Sequence, residues 1–184
     1  MDLELTCWEG ETPPEGERSE IIEIGYCLID LATLQREEPV SVKVRPQQSR
    51  VSEYCTRLTG WTEKALRSGQ PLQDACKTLV YKRGLRQYPW FSWGDDARTL
   101  KAEAAHYGAE YPLSETHTDL STLYSVLLGE PFRTGQAEAL ERLGVEARTP
   151  AHVGAIDAYN AAGILLALIG KARRPSLSLL SPLA

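Results

Sequence analysis

The spacing of apolar residues changes along the chain from strand-like to helix-like, and the order of these changes constrains the fold more than any other feature. The first 46 residues contain two β-rich runs, EIIEIGYCLIDL and PVSVKVRP, which ATLQREE joins as a hairpin connection. Beyond residue 50 the apolar spacing becomes helical, with two short helices separated by Gly60 and a longer helix that starts at Pro71. The apolar run WFSWG then predicts one further buried strand. Strands first and helices later, with one strand returning in the middle, predict an α/β or α+β domain built on one mixed sheet.

The rest of the chain is predicted to be helical. DDARTLKAEAAHYG is expected to end at Gly108, and GQAEALERLG and HVGAIDAYNAAGILLALIGKAR follow it. A length of 184 residues without internal repeats predicts one domain over residues 1–172, with 173–184 as a C-terminal tail. That tail is expected to be disordered, with binding of a protein partner as the alternative. The apolar run AAGILLALIG is too short to span a bilayer, so no membrane partner is expected.

Charge and cysteine content narrow the class of protein. A formal net charge of -5 excludes a global basic field that would attract nucleic acid or an anionic membrane. It still permits an enzyme that binds its substrate through metal ions and a local basic rim. The four cysteines form no C-x-x-C pair, and no apolar leader precedes them. Reduced thiols in a cytoplasmic protein are therefore expected.

Acidic side chains and one histidine stand at the ends of predicted elements: Asp2, Glu4, Asp95, Asp96, His152 and Asp157. The first two are spaced at i and i+2, which directs both side chains to one face of a strand. Asp95 and Asp96 follow the strand WFSWG, and Asp157 falls in the first turns of the last helix. Taken singly, these residues are typical of a solvated strand face, of helix caps and of a surface histidine.

Taken together, the acids predict a bound cation. Burying several carboxylates side by side without compensation costs on the order of several kcal/mol. Hard oxygen ligands without paired Cys or His residues favour Mg²⁺ or Mn²⁺ over zinc. Two such ions can activate a water and stabilise the leaving 3′ oxygen of a phosphodiester. A neutral imidazole near that water would act as a general base at physiological pH.

Five segments that carry these residues occur in a fixed order: DLELTCW, EIIEIG, SEYCTRLTG, SWGDDARTL and HVGAIDAYNAA. The set resembles the DEDDh 3′→5′ exonucleases, particularly the ERI-1-like exoribonuclease branch, over residues 1–172. The resemblance implies an RNase H-like α/β fold, a five-stranded mixed β-sheet flanked by α-helices. It also implies hydrolysis of single-stranded nucleic acid from the 3′ end, with RNA favoured over DNA and nucleoside 5′-monophosphates released.

The resemblance further implies a role for each acid. Four acids would hold two Mg²⁺ or Mn²⁺ ions, and one histidine would deprotonate the attacking water. The metal ligands would be Asp2, Glu4, Asp96 and Asp157, and the base would be His152. The segment GDDAR also offers Asp95, but the spacing back from Leu100 favours Asp96 as the ligand and Asp95 as a second or capping acid.

Substrate contacts are implied near two of these segments. The backbone around Leu5 and Thr6 would face the 3′-terminal nucleotide, and Leu58 and Thr59 of RLTG resemble a segment that wedges against the terminal base. Trp93 or Trp8 could stack on a base, since stacking tolerates any sequence. Core packing is the alternative for both tryptophans.

The start of the chain departs from the pattern that the resemblance implies. A central D-x-E strand is expected to have several apolar residues before its Asp, whereas only Met1 precedes Asp2. The α-amino group would then lie beside the first metal ligand and oppose a bound cation, and residues upstream of Met1 are expected for this reason. Two functional alternatives stay open: a catalytically weak adaptor protein that binds 3′ ends, and a DNA proofreading exonuclease.

Overall fold

The computed structural model describes residues 1–10, 12–130 and 134–173. Its strands are β1 (Asp2–Leu5), β2 (Ile21–Tyr26), β3 (Ile29–Asp30), β4 (Gln35–Arg36), β5 (Val40–Lys43), β6 (Trp90–Ser92) and β7 (His117–Asp119). Its α-helices are α1 (Glu53–Thr59), α2 (Glu63–Leu66), α3 (Leu72–Lys77), α4 (Asp96–His106), α5 (Leu120–Leu128), α6 (Gln136–Leu143) and α7 (Gly154–Arg173). A π-helical turn (Thr78–Lys82) continues α3, and a 3-10 turn (Leu85–Gln87) follows it. Residues 174–184 lie outside the described residues, so the predicted tail stays a prediction.

Strand β2 is the middle strand of an antiparallel sheet with the order β1–β2–β5. All six of its residues, IIEIGY, are buried, and because strand side chains alternate between the two faces, both faces of β2 must be covered. Asp2 lies opposite Gly25, and Glu4 lies opposite Glu23. On the other side of β2, Glu23 lies opposite Lys43 of β5. The run PVSVKVRP, predicted as an edge or Pro-bounded strand, therefore forms the outer strand of this sheet.

A parallel pair, β6 and β7, lies on the other side of β1. The Met1 ammonium donates a hydrogen bond of 2.8 Å to the carbonyl oxygen of Phe91, which places the start of β1 beside β6. The predicted mixed α/β architecture is thus confirmed, with three antiparallel and two parallel strands, while β3 and β4 form a separate hairpin. Strand β7 was not predicted from the pattern, because its residues HTD are all polar and show no apolar alternation.

Helix ends follow the predicted local signals. Gly60 ends α1 with a φ of 75°, a left-handed conformation that glycine adopts without a steric penalty. Pro71 precedes α3, and Gly108, with a φ of 60°, follows the end of α4. Helix α7 begins at Gly154, which leaves His152 in the loop before it, as the sequence predicted.

The described residues form two large apolar clusters and a smaller third one of Ile22, Cys55 and Leu66, against which Trp61 packs. One large cluster joins the sheet to α3 and α4 through residues such as Ile24, Leu79 and Leu100. The other large cluster joins α5, α6 and α7 through residues such as Tyr124 and Ile164. Helix α7 also packs directly on β1 and β2, so that the acidic ends of these elements meet.

Helix α7 is longer than the apolar run AAGILLALIG, which by itself is too short to span a bilayer. Its 20 residues are long and apolar enough to cross a membrane by length and composition alone. Half of this apolar stretch is buried inside the protein, however, and mostly buried core helices have the same length and composition. Because buried α7 residues such as Ile164 and Leu168 pack in the second core cluster, we assign the apolar character of α7 to packing.

Candidate active site

Three carboxylates from β1 and α7 form one cluster. Oxygen atoms of Asp2, Glu4 and Asp157 all lie within 4.8 Å of one another. Glu4 is 7% exposed, and the other two side chains are half-buried. Asp2 and Glu4 thus share one face of β1, as their i and i+2 spacing predicts, and this is the face on which α7 begins.

A close approach of two backbones brings Asp157 to β1. A Cβ atom on Gly25 would lie 2.0 Å from the carbonyl carbon of Gly154, so only glycine leaves room for α7 at this point of β2. Gly154 is itself in contact with β1, since a Cβ there would lie 3.3 Å from the carbonyl oxygen of Asp2. The first turn of α7 thus rests directly on the strand that carries the two other acids.

The loop after β6 places Asp96 beside this cluster. Gly94, with a φ of 95°, turns the chain, and its amide donates to Oδ1 of Asp119 at 3.0 Å. Asp96 then begins α4, and among the described residues its buried Oδ2 has no hydrogen-bond partner. Asp95 instead points outward, 68% exposed, and pairs with Arg98. The structure therefore turns Asp96, and not Asp95, towards the interior.

Burial raises the pKa values of the acids in the cluster. The pKa of Glu4 rises to about 8 because the carboxylate is buried and because neighbouring acids, Asp157 first among them, repel its charge. Burial also raises the pKa of Asp96 to about 7, although the Met1 ammonium opposes this shift. For Asp2, burial and then repulsion by Asp96 hold the pKa well above its ordinary value of 3.8. Carboxylates in such a site need either protons or a cation to be stable.

Asp157 is also linked to the predicted base. Its Oδ2 accepts a hydrogen bond of 2.8 Å from the backbone amide of His152. Burial raises the pKa of Asp157, and the hydrogen bond from His152 opposes that shift. His152 has a φ of 59°, a conformation that is uncommon for a residue with a side chain. The backbone of this loop is therefore anchored, while the His152 side chain is exposed to solvent.

The predicted substrate contacts differ in how accessible they are. Leu5 is half-buried and Leu58 is 36% exposed, so both can meet a ligand. Thr6 is buried, with its hydroxyl donating to the carbonyl of Arg18 and its backbone amide to that of Glu20. The hydroxyl of Thr59 donates in the same way to Cys55, at 2.9 Å. These two threonines thus shape the site mainly through the backbone.

The two tryptophans named as stacking candidates are both half-buried. Trp93 packs in the cluster formed by α5, α6 and α7, with its ring centroid 5.8 Å from that of Tyr124. For Trp93 this contact agrees with the core-packing alternative.

Two residues near the cluster were not singled out from the sequence. Glu23 is fully buried in β2 opposite Glu4, and it accepts a hydrogen bond of 2.8 Å from the indole nitrogen of Trp61. A charged residue inside the apolar run EIIEIG was the available signal, because an acid in a strand buried on both faces needs donors around it. The identity of those donors could not be read from the sequence.

The residues of the cluster fit a hard divalent cation. All of the donors are carboxylate oxygens, which Mg²⁺ and Mn²⁺ prefer. An unpaired buried oxygen such as Oδ2 of Asp96 costs about 1–3 kcal/mol, more when it is charged, and a cation would remove that cost. Asp2, Glu4 and Asp157 would form the centre of such a site and Asp96 its margin, since its charge acts on both Asp2 and Glu4.

Known proteins are similar to this chain in sequence. The profile of a family described as Exonuclease (RNase_T) matches residues 1–165. The 3′-5′ exonuclease Snipper of Drosophila melanogaster is 43% identical over 76 residues, which are 41% of this chain and 27% of that protein. ERI1 exoribonuclease 2 of Mus musculus is 33% identical over 100 residues, 52% of this chain and 14% of that protein. The alignments thus span well under half of the length of either relative.

Solved structures extend the similarity to nearly the whole chain. The nuclease domain of 3′hExo, a DEDDh family member bound to rAMP, superposes with a TM-score of 0.83 at 26% identity, covering 92% of this chain and 90% of that domain. Cell-death related nuclease 4 (CRN-4) gives a TM-score of 0.74 at 15% identity, covering 92% of this chain and 62% of that one, which shows a shared fold only. The expected similarity to DEDDh proteins, including the ERI-1-like branch, is confirmed.

Proposed function

The chain belongs to the Exonuclease (RNase_T) family, and on this premise we propose that it is a 3′→5′ exonuclease of single-stranded nucleic acid that requires Mg²⁺ or Mn²⁺. The observation that carries the proposal is the cluster of Asp2, Glu4 and Asp157 oxygens within 4.8 Å of one another. Such a cluster on two elements that pack directly together is costly unless it serves a cation. We also propose a cytoplasmic location, since the chain uses its cysteines as free thiols.

We propose a role for each residue of the cluster and for His152. Asp2, Glu4, Asp96 and Asp157 would hold two divalent ions, which when bound supply an activated water and stabilise the leaving oxygen. His152 would accept the proton of that water through its exposed ring, while its backbone amide keeps Asp157 in place. The water oxygen bonds to phosphorus as the bond from phosphorus to the 3′ oxygen breaks. The 3′ oxygen then takes a proton, which leaves a nucleoside 5′-monophosphate and a shortened chain.

RNA is the substrate that we favour over DNA. The support is that one sequence relative is named an exoribonuclease and that the 3′hExo nuclease domain is bound to rAMP. Contact with a 2′-hydroxyl would be the physical basis of such a preference. Leu5 and Leu58 are the accessible side chains that we propose to meet the 3′-terminal nucleotide.

A degradation assay tests the proposal. RNA and DNA single strands labelled at the 5′ end are incubated with and without Mn²⁺, using the unaltered protein, Asp157→Asn and His152→Ala. We expect shortening from the 3′ end that needs Mn²⁺, is abolished in Asp157→Asn and falls by about 10²–10⁴-fold in His152→Ala. His106→Ala is the matched control, because His106 lies at the end of α4 opposite to Asp96, about 15 Å along the helix.

Other outcomes decide between the alternatives. Binding of 3′ ends without any shortening would replace the nuclease by the adaptor protein. Faster shortening of DNA than of RNA would favour the proofreading exonuclease. Equal activity with and without Mn²⁺ would contradict the proposed role of the carboxylates.

A further inference from the structure

Three hydrogen-bond donors from two separate segments converge on the carboxylate of Glu23. Its Oε2 accepts from the indole nitrogen of Trp61 at 2.8 Å and from the amide of Gly154 at 3.1 Å. Its Oε1 accepts from the amide of Ala155 at 3.2 Å. Because the side chain is fully buried, water cannot replace any of these donors at low cost. One carboxylate therefore fixes Trp61 relative to the first turn of α7.

The two segments joined in this way belong to different parts of the site. Gly154 and Ala155 begin the helix that carries Asp157, and a Cβ on Gly154 would lie 3.3 Å from the carbonyl oxygen of Asp2. Trp61 directly follows the RLTG segment, and its amide donates to the hydroxyl of Thr59 at 3.1 Å. Any movement of Trp61 is thus passed to the segment that we propose to meet the terminal nucleotide.

The surroundings of Glu23 leave it few other roles. It lies opposite Glu4 on the neighbouring strand, so the two side chains point to the same face of the sheet and Glu23 lies beside the metal cluster of Asp2, Glu4 and Asp157. Lys43, opposite Glu23 on β5, is exposed, and its Nζ lies 5.4 Å from the centre of the Trp61 ring. Trp61 is accordingly held at its nitrogen by Glu23 and covered on one face by Lys43.

We propose that Glu23 is a positioning residue that sets the distance between the segment at residues 58–61 and the carboxylate cluster. The proposal rests on the proposed function, in which this segment meets the 3′-terminal nucleotide and the cluster holds the ions. Glu23 touches neither substrate nor ion on this view. It acts through Trp61 on one side and through α7 on the other.

The test separates positioning from a merely structural role. Trp61→Phe removes the indole N–H but keeps an aromatic ring, and Glu23→Gln keeps the shape of the side chain but turns one acceptor into a donor. Glu20→Gln is the matched control, because Glu20 is equally buried at the start of the same EIIEIG segment. Its carboxylate binds the amides of residues 47–49, away from Trp61 and α7.

The main readout needs no catalysis. The affinity for adenosine 5′-monophosphate, the proposed product, is measured by calorimetry with and without Mn²⁺. In the unaltered protein we expect Mn²⁺ to raise this affinity, and in Trp61→Phe and Glu23→Gln we expect that enhancement to fall about tenfold, since misplacement by 1 Å can cost about 10²-fold. Combining Trp61→Phe with Glu23→Gln should reduce the enhancement no further than either substitution alone, because both remove the same link between Trp61 and Glu23. Mn²⁺ binding alone should persist in Trp61→Phe, and Glu20→Gln should keep the full enhancement.

Turnover provides the second readout. For the labelled RNA, kcat should fall in Trp61→Phe by about tenfold with KM changed less, because the substrate still binds but is misplaced. The inference would be overturned if Mn²⁺ did not raise the affinity of the unaltered protein for adenosine 5′-monophosphate. It would also be overturned if the enhancement were equal in Trp61→Phe and Glu20→Gln. If the unaltered protein shows the enhancement but no shortening of RNA, the proposed hydrolysis fails while the positioning role stands.

Discussion

Replacing Gly25 by alanine should uncouple α7 from the sheet. The added Cβ would lie 2.0 Å from the carbonyl carbon and 2.1 Å from the carbonyl oxygen of Gly154, against an ordinary contact of 3.4 Å. The backbones must therefore separate by about 1.4 Å, and no side-chain rotation can relieve a contact between backbones. Since Asp2 pairs with Gly25 and α7 carries Asp157, this displacement acts directly on the carboxylate cluster.

The size of the effect follows from that displacement. Overpacking of this kind costs about 1–3 kcal/mol, and we expect the upper end because two backbones collide. A shift of more than 1 Å within the site should lower the rate of 3′ shortening by about 10²-fold or more. Urea unfolding measures the free energy of unfolding, and single-turnover shortening of RNA at a temperature where the variant is folded measures activity.

The control is the same substitution in open space. Gly170 lies inside α7, and a Cβ there meets nothing within 4 Å. Gly170→Ala should therefore gain up to about 1 kcal/mol from helix propensity and keep full activity. If Gly25→Ala unfolds within about 0.5 kcal/mol of the unaltered protein and shortens RNA at the same rate, the reasoning about the close approach is wrong.

Three further predictions concern ions and pH. Mn²⁺ at 100 times its dissociation constant should add about 2.7 kcal/mol to the free energy of unfolding, and thermal unfolding of Asp157→Asn should show no such gain. The pKa of Glu4 is raised by burial from 4.5 to about 8, so the metal-free fold loses stability progressively as the pH rises between these values. Glu4→Gln should therefore gain stability relative to the unaltered protein over the same pH range. A difference in stability that stays constant with pH would contradict this. Burial of Glu20 raises its pKa, but hydrogen bonds from Tyr107 and backbone amides outweigh this and hold the pKa below 4.5. The contribution of Glu20 to the free energy of unfolding is therefore present above pH 4.5 and is lost as the pH falls through the lowered pKa of the folded state. Glu20→Gln should therefore flatten the acid limb of the stability curve in urea titrations, and an unchanged limb would show that other acids determine it.

Local signals in the sequence were sufficient for most of the secondary structure. The alternation in PVSVKVRP, the break at Gly60 and the start of α7 after His152 depend on neighbours within a few residues, and the structure has each of them. Strand β7 could not be predicted in this way, because HTD becomes a strand only by pairing with Trp90–Ser92, which is distant in sequence.

Local patterns are enough to name the acids that could form a site, because the period of a strand places Asp2 and Glu4 on one face and helix-start chemistry places Asp157 in a first turn. How these acids are held together depends on contacts between distant segments. The spacing from Leu100 already favours Asp96 over Asp95, but the inward direction of Asp96 depends on the turn at Gly94, whose amide binds Asp119. The position of α7 on the sheet depends on Gly25 and on the donors around Glu23. Periodicity and capping act over a few residues, so they can be read from the sequence. A buried carboxylate is stable only when donors from remote segments reach it, and those donors are set by packing.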